Sequence, residues 1–461
     1  MTSPNQHGAS AGAFTVDGQR VVVMGAARSG IAAAELLARR GARVTLSESR
    51  ASFPEADRLR AQGVDLELGG HLTKTFASAD LVVTSPGVPP EHAALEAARA
   101  QGVEVIGELE LAWRWAQGRV IAITGTKGKS TTTTLIGRML RAAGRDVTVG
   151  GNIGVPFSSL VEQSTPDTVH VIEASSFQLE TTTTFRPWIA VWLNLAADHL
   201  DRHPSLDAYG DAKARVFANQ TADDWLVVNA DDADVCRRVA PARSRQVMFS
   251  LDGQPHASFV VQDDAVARRT DGGRASLIPL SAVELTGRHM LNNVLAAAAA
   301  TWAAGVNPAA MVEGLRGFRG LEHVMEPSGE VGGVRFVNDS KATNVEAARR
   351  SIEAFESGVV AIIGGRFKGG DLRELRDALV SRGRAVVAIG EAAPLVREAV
   401  SDVVPVTEAT SMDDAVRQAY AAARPDGVVV LAPACASFDW FGDYAERGRA
   451  FKDAVTALGR M

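Results

Sequence analysis

The stretch that most constrains this chain is Val120-Ile121-Ala122-Ile123-Thr124-Gly125-Thr126-Lys127-Gly128-Lys129-Ser130-Thr131-Thr132. An apolar run delivers the chain to a glycine turn, and a helix starting at Ser130 aims its N-terminus at the same point. Backbone N–H groups at such a junction make a phosphate cradle. Lys129 then stands over the terminal phosphates of a nucleotide, and the hydroxyl of Ser130 or Thr131 reaches a magnesium ion. The loop is shorter than the usual pattern, which places its first glycine where this chain has Ile123.

At 461 residues the chain has room for about three domains of roughly 150 residues each. With 46% hydrophobic and 22% charged residues it has the composition of a soluble globular protein. A net charge of -6 without a long basic run argues against a nucleic-acid partner. Cys236 and Cys435 are too far apart for a disulfide framework or a metal knuckle, which fits a reducing cytoplasm. Residues 1–18 read as a flexible tail without signal-peptide character. The most apolar helix, Val294 to Ala304, is too short to span a membrane and reads as buried core.

Ahead of the phosphate loop, the strand Val21-Val22-Val23-Met24 enters Gly25-Ala26-Ala27-Arg28-Ser29-Gly30, a helix through Arg40, and a second strand, Ala42 to Ser47, ending on Glu48. This approaches the dinucleotide fingerprint, with Ala27 in place of its middle glycine. Strand Asp80 to Thr84 leads into Ser85-Pro86-Gly87, again at the carboxyl end of a strand, where open parallel sheets bind ligands. After the loop, strand Val169 to Ile172 ends on Glu173, and strand Ile189 to Leu193 leads to Asp198-His199-Leu200-Asp201-Arg202-His203. Glu173 and His199 thereby fall on the same sheet edge as the phosphate loop, a credible magnesium site, although a lone histidine is more often structural. Lys213, in the helical stretch Leu206 to Asn219, reads from composition as a solvated surface lysine. A third domain begins near Leu321. Its loops Asn338 to Asn344, Gly364 to Asp371 and Pro433 to Asp439 follow apolar runs; the first and third read as binding loops, with plain turns as the alternative.

Taken in this order, Thr124 to Thr131, Gly150-Gly151-Asn152-Ile153-Gly154, Glu173 to Gln178, Asp198 to Arg202, Asn338 to Asn344 and Pro433 to Asp439 resemble the Mur ligases, most closely their D-glutamate-adding members. The resemblance covers nearly the whole chain. It implies an α/β protein of three domains: a Rossmann-like UDP-binding domain at 19–115, a central P-loop ATPase-type domain at 116–319 and a Rossmann-like C-terminal domain at 320–461. The implied chemistry is ATP-dependent amide synthesis through an acyl phosphate, joining D-glutamate to UDP-N-acetylmuramoyl-L-alanine in a cytoplasmic enzyme, expected to be a monomer.

By the same resemblance Gly125, Thr126, Lys127, Gly128, Lys129, Ser130, Thr131, Asn293 and Asp339 hold ATP. Lys129, Glu173, His199 and Lys213 are catalytic, and two magnesium ions sit among Ser130, Thr131, Glu173, His199 and Lys213, the last carbamylated. Ser29, Glu48, Ser49, Arg50, Ser85 and Gly87 take the UDP part; Asn152, Ser175 and His199 face the muramoyl and alanyl groups. Asp339, Lys341 and Thr343 serve the nucleotide and the third domain, while Lys368, Ser437, Phe438 and Tyr444 receive D-glutamate. Three positions depart from the family: Lys127 for Asn, Met290 for an adenine-contacting Asn, and Val324 for the Arg that follows His323. A folylpolyglutamate synthase shares the loop and the last domain type but not the first domain. A scaffold that has lost catalysis, motivated by Met290 and Val324, and a nicotinamide-dependent oxidoreductase, suggested by the first glycine turn, are the remaining alternatives.

Overall fold

The computed structural model describes residues 14–460 apart from 200, 201, 271, 286 and 287. Leu200 and Asp201 of the histidine motif, and the expected tail as far as residue 13, lie outside the described residues, as does the His289 side chain. The chain divides into two compact units at Phe318 and Arg319.

The first unit holds two sheets. The N-terminal one is a five-stranded parallel sheet in the order Asp65–Leu68, Arg43–Glu48, Arg20–Met24, Leu81–Thr84, Glu104–Gly107. Its central strands are near-continuous Val, Leu and Met because helices cover both faces. The order reverses between Arg20–Met24 and Leu81–Thr84, so the glycine turn after the one and the Ser85 loop after the other flank a topological switch point. Gly30 is required there: a Cβ at that position would lie 1.9 Å from the Gly25 carbonyl oxygen. The last residues of the expected tail are packed instead of loose. Phe14 meets Trp115 at 5.0 Å between ring centroids, the Trp115 indole donates to the Phe14 carbonyl, and Val16 is buried.

The central sheet, among the described residues, has nine strands in the order Gly273–Pro279, Ala265–Thr270, Phe259–Gln262, Arg245–Ser250, Trp225–Asn229, Ile189–Trp192, Arg119–Thr124, Val169–Glu173, Val147–Gly151. Seven run parallel and the first two close it as an antiparallel edge. Arg119–Thr124 lies between Ile189–Trp192 and Val169–Glu173, which brings three carboxyl-terminal strand ends side by side. Helix Arg288–Ala303 presents a fully buried alanine-rich run, Val294 to Ala300. The helix expected from Leu206 to Asn219 is α-helical to Ala214 and tightens to a 3₁₀ turn over Arg215–Phe217.

The second unit is a six-stranded sheet in the order Glu326–Val331, Val334–Asn338, Val428–Leu431, Val359–Gly364, Gly383–Ile389, Val406–Ala409, antiparallel at its first pair and parallel thereafter. Its two faces carry separate apolar clusters under helices, as a doubly wound sheet requires. Among the described residues no helix is long and apolar enough to cross a membrane.

Candidate functional site

Strand Arg119–Thr124 ends directly in the glycine-lysine loop, and the helix beyond it runs from Lys129 to Ala142, one residue earlier than expected. Gly128 is its N-cap, with φ 85°, and an added Cβ would sit 2.2 Å from the Asn293 amide oxygen. Both facts demand glycine, and they place Asn293 against the loop. Lys129 folds back over the turn, its ammonium donating to the carbonyls of Gly125 (3.0 Å) and Thr126 (2.9 Å). Ser130 donates to Glu173 Oε2 at 2.6 Å, and the Asn152 amide donates to Oε1 at 2.8 Å. Glu173 is buried. Of the two hydroxyls expected at a metal, Ser130 makes this contact, while Thr131 is buried in the helix's first turn.

Lys213 departs most from the composition-based reading of a surface lysine. It is 1% exposed, its Nζ donates to the Gly125 carbonyl at 2.8 Å and lies 4.3 Å from the centre of the Tyr209 ring. Burial pushes its ammonium well below the ordinary lysine range and Lys129 adds to this, against the opposing carboxylates of Asp198 and Glu173. Gly125 therefore offers one carbonyl to two lysines, and the charged groups facing Lys213 are those of the site itself. His199 is half-exposed, with φ 54°, beside Phe177 (5.0 Å between centroids) and Tyr209 (6.2 Å), the ring that Lys213 also meets. A left-handed histidine in a post-strand loop is the kind of strained residue found at functional sites.

The described residues contain no cluster of three or more His, Cys, Asp and Glu side chains able to hold a metal. A hard cation at this edge would rest on the Glu173 carboxylate and the Ser130 hydroxyl, an oxygen donor set that suits magnesium, which keeps water and takes phosphate oxygens as further ligands. Ser175 caps helix Ser176–Leu179 in a reciprocal box with Gln178.

In the N-terminal sheet, Glu48 accepts from the Ala26 N–H (2.7 Å), the Arg50 N–H (3.0 Å) and guanidinium (3.1 Å), and the Ser49 hydroxyl (3.1 Å), while Arg50 also donates to the Ala26 carbonyl (3.0 Å). The acidic residue that would read a dinucleotide ribose is thus committed to holding the glycine turn. Burial works to raise its pKa and is outweighed by these bonds, so it falls to about 2. A depressed carboxyl stabilises the fold fully above the ordinary value of 4.5, and that share is lost as pH falls through about 2. Glu48→Gln is expected to flatten the acid limb of the unit's thermal midpoint between pH 5 and 2, read by circular dichroism; an unaltered limb would remove Glu48 as its source. Ser85 donates to the Gly25 carbonyl at 3.1 Å, Ser29 is half-buried in the first turn of helix Arg28–Arg39, and Gly87 faces open space.

In the second unit Asp339 is buried, bonded by the Ser351 hydroxyl and the Met325 N–H (3.2 Å), with its pKa raised by burial. Lys368 reaches the Thr343 hydroxyl at 3.5 Å, and Lys341 is exposed. Ser437 is buried; Phe438 and Tyr444 are 62% and 40% exposed, large rings left open at loop ends. The sequence reading missed Arg447. It is 1% exposed and donates to Ser340 Oγ, the Ser340 carbonyl and the Cys435 carbonyl, so it ties two of the expected binding loops together. The sequence reading gives no role to Asn194, the polar residue just past the carboxyl end of strand Ile189–Trp192.

The description "Mur ligase MurD-like, N-terminal domain" matches residues 19–107, "Mur ligase middle domain" residues 123–301, and "Mur ligase, glutamate ligase domain" residues 325–435. A UDP-N-acetylmuramoylalanine--D-glutamate ligase of Acidobacterium capsulatum is 47% identical over 445 residues, covering 95% of this chain and 96% of its own. The protein of the same name from Desulfosudis oleivorans is 42% identical, covering 96% and 97%. Among solved structures, a UDP-N-acetylmuramate-alanine ligase of Thermotoga maritima shares the fold at a TM-score of 0.56 and 18% identity, covering 95% of this chain and all of that one. With three domain matches in family order and such relatives along almost the whole of both chains, the protein belongs to the Mur ligase family.

Proposed function

We propose that the chain is an ATP-dependent ligase that joins D-glutamate to UDP-N-acetylmuramoyl-L-alanine in peptidoglycan precursor synthesis. The observation that carries this reading is the near full-length identity to ligases named for that reaction. The γ-phosphoryl group of ATP passes to the alanyl carboxylate, giving an acyl phosphate and ADP. The D-glutamate amine then attacks the acyl carbon, the amide bond forms, and inorganic phosphate leaves.

The chain's own residues divide this work. The loop from Gly125 to Thr131 seats the phosphates, with Lys129 placed to leave its two carbonyl partners for the γ-phosphoryl oxygens. Ser130 and Glu173 would hold one magnesium ion, and His199 with a carbamylated Lys213 would hold a second. When bound they offset the charge that builds on the phosphoryl oxygens. Carbamylation joins carbon dioxide to the Lys213 Nζ with loss of a proton, which needs the neutral amine that its burial favours. Asn293 and Asp339 serve the nucleotide. Asn152, Ser175 and His199 face the acceptor, and Ser29, Glu48, Ser49, Arg50, Ser85 and Gly87 its UDP part. Lys341 and Thr343 act with the third domain, and Lys368, Ser437, Phe438 and Tyr444 take D-glutamate, whose two carboxylates suit an ammonium and a hydroxyl. The domains run 19–115, 116–319 and 320–461, and the enzyme works as a cytoplasmic monomer without nucleic acid.

Phosphate release from ATP tests the reading. It is expected only when UDP-N-acetylmuramoyl-L-alanine and D-glutamate are both present; release driven by a folate acceptor, or none at all, would overturn it.

A further inference from the structure

We propose that Asn194 is a positioning residue that sets the crest of the phosphate loop and so decides which backbone N–H groups remain for the nucleotide. The residue follows strand Ile189–Trp192, next to the strand that feeds the loop. Its side-chain oxygen accepts from the N–H of Thr126 at 3.0 Å and of Lys127 at 2.8 Å, and its side-chain nitrogen donates to the Lys127 carbonyl at 3.0 Å. One amide thus takes both polar groups of Lys127 and shares the Thr126 N–H with the main-chain carbonyl of Asn194, which accepts it at 3.1 Å. The neighbouring main chain repeats the tie: the Thr126 hydroxyl donates to the Ala196 carbonyl (3.2 Å) and accepts from the Ala196 N–H (3.0 Å).

Two crest N–H groups that an anion-binding loop could offer are therefore turned inward. The anion-facing donors begin at the helix start, where first-turn N–H groups have no carbonyl one turn back to bond. A lysine at position 127 is compatible with this. The structure holds that position through its main chain while its side chain stands exposed, so the contact does not depend on an asparagine there.

The clamp also joins two parts of the reaction site. The Leu193 carbonyl accepts from Asn229 (2.9 Å) and the Leu195 N–H donates to Asp232 (2.8 Å), so the segment that carries Asn194 is anchored to the next strand before it runs on to Asp198 and His199. The loop and His199 are thereby referenced to one fixed length of chain. Only a side chain with acceptor and donor at this reach serves both Lys127 groups: aspartate lacks the donor, and alanine lacks both.

The proposal rests on the chain binding ATP, so nucleotide binding is measured directly, with ATP and magnesium and no acceptor. A failure of the D-glutamate reading then leaves the result interpretable. Asn194→Ala is expected to weaken ATP binding about tenfold, the loss of one to two hydrogen bonds, and to raise KM for ATP alike while KM for the UDP-linked acceptor stays within about twofold. Amide exchange at Lys127 should quicken by a similar factor in the nucleotide-free protein. Should Asn194→Ala not fold, Asn194→Asp keeps the shape and sets a bare carboxylate against the Lys127 carbonyl, so it too should bind ATP more weakly. ATP affinity and Lys127 exchange at parental values in a folded variant would overturn the proposal. So would a fall in kcat that merely follows the folded fraction.

Discussion

Lys213→Ala is expected to lower kcat by about 10²–10³, and millimolar acetate or formate supplied in solution should restore part of the loss. The argument starts from burial. Lys213 is enclosed, with the Gly125 carbonyl and the face of Tyr209 as its neighbours and, among the described residues, no carboxylate bonded to its nitrogen. Burial and Lys129 both disfavour the ammonium, so the folded protein holds this nitrogen far less readily charged than free lysine. An ammonium here would repel a cation held at Glu173, whereas a carbamate would supply a carboxylate-like ligand at the same place. A small carboxylate diffusing into the space vacated by the side chain can stand in for it, and a complete lack of rescue would remove the carbamate from the mechanism.

A companion variant separates chemistry from packing. The folded chain protonates Lys213 less readily than the unfolded chain, whose ordinary value is 10.5, so its burial costs stability where the unfolded chain binds the extra proton, and the cost shrinks as pH rises toward that value. Lys213→Met fills the same space without that cost. It is expected to be as inactive as the alanine variant while raising the first unit's thermal midpoint by about 2–4 °C. A residue kept at the expense of stability is one whose role is chemical, and a lowered midpoint would show that the lysine is structural.

How much of this was readable beforehand depended on whether the signal was local. The phosphate loop, the switch-point turn and Glu173 were legible because strand, turn and helix start are written in consecutive residues. The buried alanine-rich helix was legible for the same reason. Lys213 was not, since nothing in Leu206 to Ala214 records that Tyr209 and Gly125 close over it; the family resemblance, and not the composition, singled it out. Glu48 was found at its expected spacing, but its engagement with Ala26 and Arg50 depends on how two loops meet across the sheet edge. Arg447 and Asn194 were missed because their partners, Ser340 with Cys435 and Thr126 with Lys127, lie 12 to 107 and 67 residues or more away. Side chains that bond distant main chain leave no periodicity behind.

Glu173→Gln is expected to cost about as much as the loss of Lys213, roughly 10²–10³ in kcat, with the magnesium dependence of the remaining activity moved to higher concentration. The substitution is nearly isosteric, and the surroundings can accept it. The Asn152 amide donates to one oxygen and Ser130 to the other, so a glutamine oxygen can take one bond while its nitrogen turns to the Ser130 hydroxyl, which can accept. The fold is therefore expected to persist, with a thermal midpoint near that of the parent. What disappears is the negative charge. Glu173 is a buried carboxylate beside the loop, and Asp198, whose carboxylate comes within 4.0 Å of the His199 ring, lies on the neighbouring segment. An amide binds magnesium far more weakly than a carboxylate, so phosphate-site affinity should fall for the magnesium complex of ATP and much less for ADP without metal. Equal weakening of the two would mean that Glu173 shapes the loop through Ser130 and does not hold the metal.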